Sequence, residues 1–373
     1  MIKRLIGSGM RAMLTRLPLP VLQRLASFQL IAPAYHVVSD EALPHARHLY
    51  WYRNAREFEQ ELDFFLTHYE PLSLEDLLRA VREGQEVPPN SLLLTFDDGY
   101  REVHDVAAPI LRRKGVPAVF FICPAFLDNR TLFFRNKASI LVDALRGRSL
   151  SRGTQHRLRA LLSENGIRSA DLPGAIKAVD YHHRSALDAA AGVLGVDLDG
   201  YLKQQRPYLS TEQVHALKQS GFAIGAHSLD HPLYRRLPLD EQVRQTRESA
   251  AFVKERFGVE YGAFAFPFND HGVSRAFFDR VREGGCVDVS FGTGWGMMDE
   301  EVPAHFQRLS MEWESMPLYA VIKNRYRSRI MNRLVGNALI SRSYHHPAHR
   351  GQGGHGAQSV ITASSPPPPE TVR

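Results

Sequence analysis

Two sets of ionisable side chains follow short apolar runs, and their residue types are those that hold metals and move protons. The run at residues 91–96 ends in the adjacent carboxylates Asp97 and Asp98, and a later run ends in His227, with His231 four positions on. Neighbouring carboxylates repel each other unless a cation lies beside them. One carboxylate and two imidazoles suit zinc or a related divalent metal. Asp98, His227 and His231 are therefore the predicted metal ligands.

Each half of this pattern has a simpler interpretation when it is taken alone. An Asp-Asp pair is also typical of a helix N-cap followed by a solvated acid, and a pair of histidines four apart is common by chance. We expect a single helical turn to place His227 and His231 on one face. The metal site is favoured because both sets follow predicted strands, and the carboxyl ends of parallel strands meet on one face.

Strand and helix patterns alternate through most of the chain, which indicates an α/β fold. The apolar runs predict strands at residues 28–38, 91–96, 118–123, 222–226, 263–268, 287–291 and 305–312. Helical periodicity predicts helices between several of them, at residues 106–114, 211–219, 239–257 and 274–283. The alternation, with polar residues at the strand ends, predicts a barrel-like β/α domain.

The sequence divides into four segments. We expect an amphipathic helical segment at 1–27, the barrel domain at 28–312, a basic helical segment at 313–342 and a disordered tail rich in Ser, His, Gly and Pro at 343–373. Residues 128–205 contain basic helical stretches and no convincing strand. They are predicted to form a helical insertion between the second and third core motif strands, and to cover the site.

The composition is that of a globular protein with an excess of positive charge. Of the 373 residues, 44% are apolar and 23% are charged, and the formal net charge is +6. This charge suggests an anionic surface or substrate, and we expect no nucleic-acid partner. No stretch approaches the ~20 apolar residues of a membrane span. Cys123 and Cys286 lie among apolar residues, which predicts reduced thiols rather than a disulfide.

Both ends of the folded region are basic and amphipathic. Residues 1–27 combine an apolar face with basic residues, and the segment 318–342 has six basic residues that no nearby acid opposes. These six are Lys323, Arg325, Arg327, Arg329, Arg333 and Arg342. Such segments either contact an anionic membrane or pack against the domain. Because the start lacks a secretory signal pattern, we expect a cytoplasmic location, with peripheral contact at the inner face of the membrane.

Two motifs resemble those of a known family. TFDDGY at 95–100 and HSLDH at 227–231 are similar to the first two signature motifs of the polysaccharide deacetylases, carbohydrate esterase family four. The resemblance covers roughly residues 30–310, without the insertion. It implies a distorted (β/α) barrel of about seven strands and metal-dependent removal of an acyl group from an amino sugar.

The resemblance also implies roles for single residues. Asp97 would be the general base, and Asp98, His227 and His231 would hold the metal. Elementary chemistry agrees, because a carboxylate beside the ion but not bound to it can take the proton of the attacking water. By similarity to the third motif of the family, the backbone N–H of Phe268 would stabilise the oxyanion.

The sequence departs from the family at two places. The third motif is usually Arg-x-Pro-Tyr, whereas residues 265–268 are AFPF, so the arginine that orients the base is missing. Arg308 is predicted to supply that charge from the last strand. The fifth motif, Leu-x-His, which normally provides the general acid, has no convincing match. His36, His271 and His305 are the candidates, with His36 assigned to catalysis and His271 to the substrate side.

These observations lead to one main hypothesis and two alternatives. The main hypothesis is a metal-dependent hydrolase, with zinc as the expected ion, that removes an N-acetyl group from an amino sugar of a surface polysaccharide or a lipid-linked glycan precursor. The first alternative is a deformylase of a lipid-linked formamido sugar, which needs the same ion and base but a tighter acyl pocket. The second is a non-catalytic glycan-binding protein. An N-acylated amino-sugar glycan is the expected partner throughout.

Overall fold

The structure is a computed structural model that describes residues 13–294, 299, 302–312, 317–334, 336 and 339–344. Most of the predicted N-terminal helical face, at residues 1–12, and most of the predicted disordered tail, at 345–373, lie outside the described residues. Within the part of the chain that is described, no helix is both long enough and apolar enough to cross a bilayer. Cys123 and Cys286 are both free thiols.

Eleven strands form one large and one small sheet in the described residues, and every strand pairing is parallel. The strands are β1 (Leu30–Ile31), β2 (Pro33–Tyr35), β3 (Glu70–Pro71), β4 (Ser91–Leu92), β5 (Leu94–Phe96), β6 (Ala118–Ile122), β7 (Ala223–Ala226), β8 (Ala263–Ala265), β9 (Val289–Gly292), β10 (His305–Gln307) and β11 (Leu309–Ser310). The small sheet has the order β1-β4-β3. The large sheet has the order β10-β9-β8-β7-β6-β5-β2-β11.

The two ends of the large sheet are joined by a single residue. Arg308 is all that separates β10 from β11, and β10 pairs with β9 while β11 pairs with β2. The segment 305–310 therefore acts as one bent strand that closes the sheet. The result is a distorted parallel barrel of seven strands, which confirms the predicted fold class. Strand β6, with the sequence AVFFI, is buried along its whole length, as expected for a strand covered on both faces.

Helices cover the barrel and build the insertion. The helices are α1 (Leu19–Ala26), α2 (Ala55–His68), α3 (Leu74–Glu83), α4 (Ala108–Lys114), α5 (Phe134–Leu145), α6 (Arg152–Glu164), α7 (Leu172–Ala178), α8 (Ser185–Leu194), α9 (Leu198–Gln205), α10 (Thr211–Gln219), α11 (Leu239–Phe257), α12 (Arg275–Glu283) and α13 (Leu318–Leu334). Several begin at the residues that the sequence predicts. In α10, Ser210 and Gln213 form a reciprocal capping box, which defines where the helix before β7 begins.

The insertion at 128–205 contains helices α5 to α9 and no strand. It follows β6 and precedes β7, the third and fourth strands of the barrel. These helices share a hydrophobic core with the loops at the carboxyl end of the barrel. Asn136 of α5 donates to the hydroxyl of Tyr100, at 2.7 Å, and to the carbonyl of His45, at 2.8 Å. The insertion is thus fixed to the end of the barrel at which parallel-sheet enzymes bind ligands.

The basic C-terminal segment differs from the expectation of an unopposed row of charges. Helix α13 packs on α1 and buries Ile322, Tyr326 and Ile330. Arg329 is also buried, where it donates to a carbonyl of α1 and lies over an aromatic ring. Arg342 is buried against two carboxylates that are distant in sequence. Two of the six basic residues therefore turn inward, because their partners come from tertiary contacts that a local count of charges does not include.

Candidate active site

Strand β5 places the two adjacent carboxylates at the carboxyl end of the barrel. The hydrogen-bond ladder continues one residue past the strand, because the N–H of Asp97 donates to the carbonyl of Tyr35 at 2.9 Å. Asp98 and Gly99 then have positive φ values of 68° and 71°, which turn the chain sharply. A Cβ at Gly99 would lie 3.3 Å from the Ile122 side chain, so glycine also permits a close approach to β6.

Strand β7 places the two imidazoles. The N–H of His227 donates to the carbonyl of Ile122 at 2.9 Å, and its Nδ1 donates to the carbonyl of Ala265 at 2.8 Å. This second bond leaves Nε2 of His227 as the acceptor nitrogen. The predicted helical turn after β7 is wrong. Ser228 and His231 both have positive φ values, 63° and 65°, and the chain returns to the site through this left-handed loop.

The structure brings Asp98, His227 and His231 together in a buried cluster. Oδ1 of Asp98 lies 3.1 Å from Nε2 of His231 and 3.5 Å from Nε2 of His227. Within the described part of the chain, this Oδ1 atom is buried without a hydrogen-bond partner. Burial lowers the pKa of His227 to about 4, which leaves a neutral imidazole. Three lone-pair atoms within 4.8 Å of one another can hold a divalent cation.

Arg308 forms a bidentate ion pair with Asp97. Its two terminal nitrogens each donate to one oxygen of the carboxylate at 2.7 Å, and it also donates to Thr95 and Gly292. Burial alone would raise the pKa of Asp97, but the guanidinium lowers it below its usual value. Oδ2 of Asp97 is 3.9 Å from Nε2 of His227. An ionised carboxylate is therefore held beside the cluster without belonging to it.

Tyr50 was not among the predicted site residues, although it contacts two of them. Its hydroxyl donates to Oδ2 of Asp98 at 2.6 Å. Its ring stacks on the imidazole of His36, with centroids 4.1 Å apart and an interplanar angle of 15°. No motif marks this position, and the only signal in the sequence was the aromatic run at 50–52 after the first predicted strand.

His36 is held by Glu312, another residue that the sequence did not indicate. Nδ1 of His36 lies 2.6 Å from Oε2 of Glu312. The other oxygen, Oε1, accepts the backbone N–H groups of His36 and Val37 at 2.7 Å and 3.0 Å. Burial alone would lower the pKa of His36, but the carboxylate raises it to about 9. His36 is thus a positioned imidazolium near the cluster.

The remaining candidates lie at different distances from this centre. The ring of Phe268 contacts the imidazole of His231, with centroids 4.6 Å apart, and Phe133 of the insertion contacts the same imidazole at 4.3 Å. Phe268 has a φ of 58° and is 41% exposed. His271 is exposed on the loop after β8. Among the described residues, its side chain makes no hydrogen bond or ring contact with the cluster.

His305 belongs to a separate buried network. Its Nδ1 lies 2.7 Å from the hydroxyl of Ser290, and its Nε2 lies 3.1 Å from Oδ2 of Asp270. Arg342 pairs with the same carboxylate and with Asp299. The structure does not bring His305 to Asp97 or to the ligand cluster. The guanidinium of Arg342 therefore already pairs with both carboxylates of this network.

The fold and the site define a parallel β/α barrel with its polar centre at the carboxyl ends of the strands. A sequence profile for polysaccharide deacetylases matches residues 84–280, which is more than half of the chain. The chain belongs to the polysaccharide deacetylase family. Members of this family are carbohydrate esterases that act on the C–N bond of N-acetyl groups.

Individual relatives are more distant. The chain is similar to the poly-beta-1,6-N-acetyl-D-glucosamine N-deacetylase of Escherichia coli (strain K12), with 31% identity over 98 residues. That match spans 26% of this chain and 14% of the relative. Among solved structures, the deacetylase PplD of Streptococcus pyogenes has 14% identity and a TM-score of 0.49, covering 78% of this chain and 96% of that one. IcaB of Ammonifex degensii has 16% identity and a TM-score of 0.48, covering 80% and 97%.

Proposed function

We propose that the protein is a metal-dependent N-deacetylase that releases acetate from an N-acetylated amino sugar of a surface polysaccharide or a lipid-linked glycan precursor. The observation that carries the proposal is the meeting of Asp98, His227 and His231 beside an Asp97 carboxylate that Arg308 keeps ionised. The E. coli relative is named for poly-beta-1,6-N-acetyl-D-glucosamine, which supports N-acetylglucosamine as the sugar.

The three clustered side chains are the proposed metal ligands, and zinc suits their types best. Their fit to a metal rests on the buried Oδ1 of Asp98, which has no hydrogen-bond partner among the described residues and lies next to the Nε2 atoms of His227 and His231. A divalent cation held there supplies Lewis-acid polarisation of the amide carbonyl. The backbone N–H of Phe268 is the proposed second stabiliser of the developing oxyanion.

Two side chains are the proposed proton carriers. Asp97 accepts the proton of the attacking water, since its oxygens are beside the ligands and Arg308 fixes their orientation. His36 donates a proton to the departing amine as the C–N bond breaks. Its pKa of about 9 keeps it protonated at neutral pH, and Glu312 supports its orientation. The products are acetate and the free amino sugar.

The proposal is tested by measuring acetate and formate release from matched N-acetyl and N-formyl amino-sugar oligosaccharides and from their lipid-linked forms. We expect acetate release that a chelator abolishes and that added zinc restores. Formate release alone would identify a deformylase with a tight acyl pocket. Glycan binding by the metal-loaded protein without release of either acid would instead identify a binding protein.

A conservative change at Tyr50 tests the ligand set. In Tyr50→Phe the ring can still stack on His36, but Oδ2 of Asp98 loses its 2.6 Å hydrogen bond. Loss of such a supporting contact typically lowers metal affinity by about 10- to 100-fold. We expect a weakening in this range in a competition titration against a chromogenic chelator. Tyr52→Phe, whose hydroxyl donates to the carbonyl of Glu41, is the control and should keep wild-type affinity.

Peripheral contact with an anionic membrane at the cytoplasmic face remains part of the proposal. Helices α1 and α13 pack together, and each has an exposed apolar residue next to an exposed arginine. These pairs are Leu25 with Arg24 on α1, and Leu334 with Arg333 on α13. Exposed leucines flanked by basic side chains support binding to an anionic lipid surface.

A further inference from the structure

A cavity of about 240 Å³ lies between the helical insertion and the barrel loops. Phe268 forms part of its wall, and the same ring contacts His231, a proposed metal ligand. Tyr181 of the insertion also lines the cavity, and its hydroxyl donates to Asp230, the residue before His231, at 2.6 Å. The ring of Phe268 therefore lies between the cavity and the ligand cluster. The hydrogen bond of Tyr181 connects the cavity wall to the loop that carries His231.

The charges that line this cavity do not balance. Arg236 pairs with Asp180, which also interacts with His183 at 2.7 Å, so this carboxylate is already matched. Arg135 donates to the carbonyl of Lys177. Among the described residues, no carboxylate forms an ion pair with the guanidinium of Arg135. Burial lowers the pKa of Arg135, and the only group in the described part of the chain that acts against this effect is the hydroxyl of Tyr50 rather than a carboxylate.

A guanidinium in this environment favours an anionic ligand. Removing a charge from water is costly unless an opposite charge accompanies it. Arg135 has five N–H donors in a planar fork, which matches the oxygens of a phosphate or a carboxylate. The apolar part of the wall includes Phe134 and Phe268, whose rings lie 6.4 Å apart. One surplus positive charge among aromatic rings is typical of a site for a small anionic group on an organic ligand.

We propose that this cavity is a substrate subsite that receives an anionic group, a phosphate or a carboxylate, carried by the glycan next to the N-acylated sugar. The inference rests on the proposed deacetylase function, because it assigns the cavity to the same substrate. Pockets for whole drug-sized ligands typically measure about 300–1,000 Å³. The smaller volume of this cavity suits one charged group and its immediate attachment rather than a length of polymer.

The inference is tested first by binding. Three N-acetylglucosamine disaccharides are compared by calorimetry: a neutral one, one with a 1-phosphate and one with a uronate carboxylate. A hydrogen bond to a charged group contributes enough that we expect a charged disaccharide to bind about 10- to 100-fold more tightly than the neutral one. The phosphate and uronate arms identify which anion is preferred.

Arg135→Gln is the decisive variant, since glutamine keeps a polar side chain with N–H donors but has no charge. We expect it to remove the preference for the charged disaccharide and to leave binding of the neutral one unchanged. Arg135→Lys, which restores the charge without the planar fork, should recover part of the preference. Arg159→Gln, on an exposed face of α6, is the matched control and should retain the whole preference.

Three results would overturn the subsite. These are equal binding of charged and neutral disaccharides by the wild type, a preference that survives in Arg135→Gln, and an equal loss of preference in Arg159→Gln. The melting temperature of each variant shows whether it is folded. Acetate release is measured on the same disaccharides, so the two proposals fail separately. A charge preference without acetate release would support the subsite and contradict the deacetylase function. Acetate release without a charge preference would support the deacetylase function and contradict the subsite.

Discussion

Asp97→Asn is expected to reduce turnover by about 10²- to 10⁴-fold, the usual contribution of a general base. Asparagine has almost the same shape as aspartate but cannot take a proton from water. Because the nearest contact of Asp97 with the ligand cluster is 3.9 Å, the variant should still bind the metal as the wild type does. The measurement is acetate release together with metal analysis of the same protein sample.

Stability has to be measured alongside this variant. Asp97 accepts hydrogen bonds from both terminal nitrogens of the fully buried Arg308, whereas an amide in its place offers only one acceptor oxygen. Breaking a buried ion pair by removing one partner typically costs about 3–5 kcal/mol. Assays are therefore run well below the melting temperature of the variant. Asp288→Asn is the control, since Asp288 accepts from Gly262 and Arg82 outside the site and should keep wild-type turnover. Normal turnover in Asp97→Asn would exclude Asp97 as the base.

The barrel was predictable because its signals are local. Each predicted strand is an apolar run that ends in a polar or glycine-rich stretch, and burial on both faces requires such runs in a parallel sheet. The same rule indicated that residues after β5 and β7 would meet, although more than a hundred positions separate Asp98 from His227. The closure of the barrel was not visible in this way. It depends on Arg308 dividing the last strand, so that each half pairs with a different neighbour.

The supporting residues of the site were much harder to predict. Glu312 contacts His36, and Tyr50 donates a hydrogen bond to Asp98. Both are tertiary contacts, and neither pair has a sequence spacing that a helix or strand period would reveal. The loop after β7 shows a similar limit. A separation of four residues fits a helical turn, but the positive φ of Ser228 leads the chain on another path, and serine gives no strong signal for that conformation.

The outward charge of the C-terminal segment was overestimated for the same reason. Arg342 lies in a buried ion pair with Asp270, more than seventy positions away, and Arg329 lies over the ring of Phe28. Charge runs are usually solvated, so a count along the sequence treats every arginine as exposed. An arginine with apolar neighbours can instead bury its stem and pair its head group.

His231→Ala is expected to abolish metal binding and, with it, acetate release. Of the two imidazoles, that of His231 lies closer to Asp98, at 3.1 Å. Its loss leaves one carboxylate and one imidazole, which are too few ligands to hold a divalent ion tightly. Its ring also lies against Phe133 and Phe268, so truncation leaves a gap between the insertion and the loop after β8.

The control for this variant must remove an equally buried imidazole from elsewhere. His45 is 2% exposed, as His231 is, and it contacts Tyr201 of the insertion rather than the ligand cluster. His45→Ala should therefore lower the melting temperature while the metal content stays at the wild-type level. Metal analysis and thermal unfolding of both variants separate loss of a ligand from loss of packing. If His231→Ala kept its metal, Asp98 and His227 would have to bind it with a different third group, and the ligand assignment would be wrong.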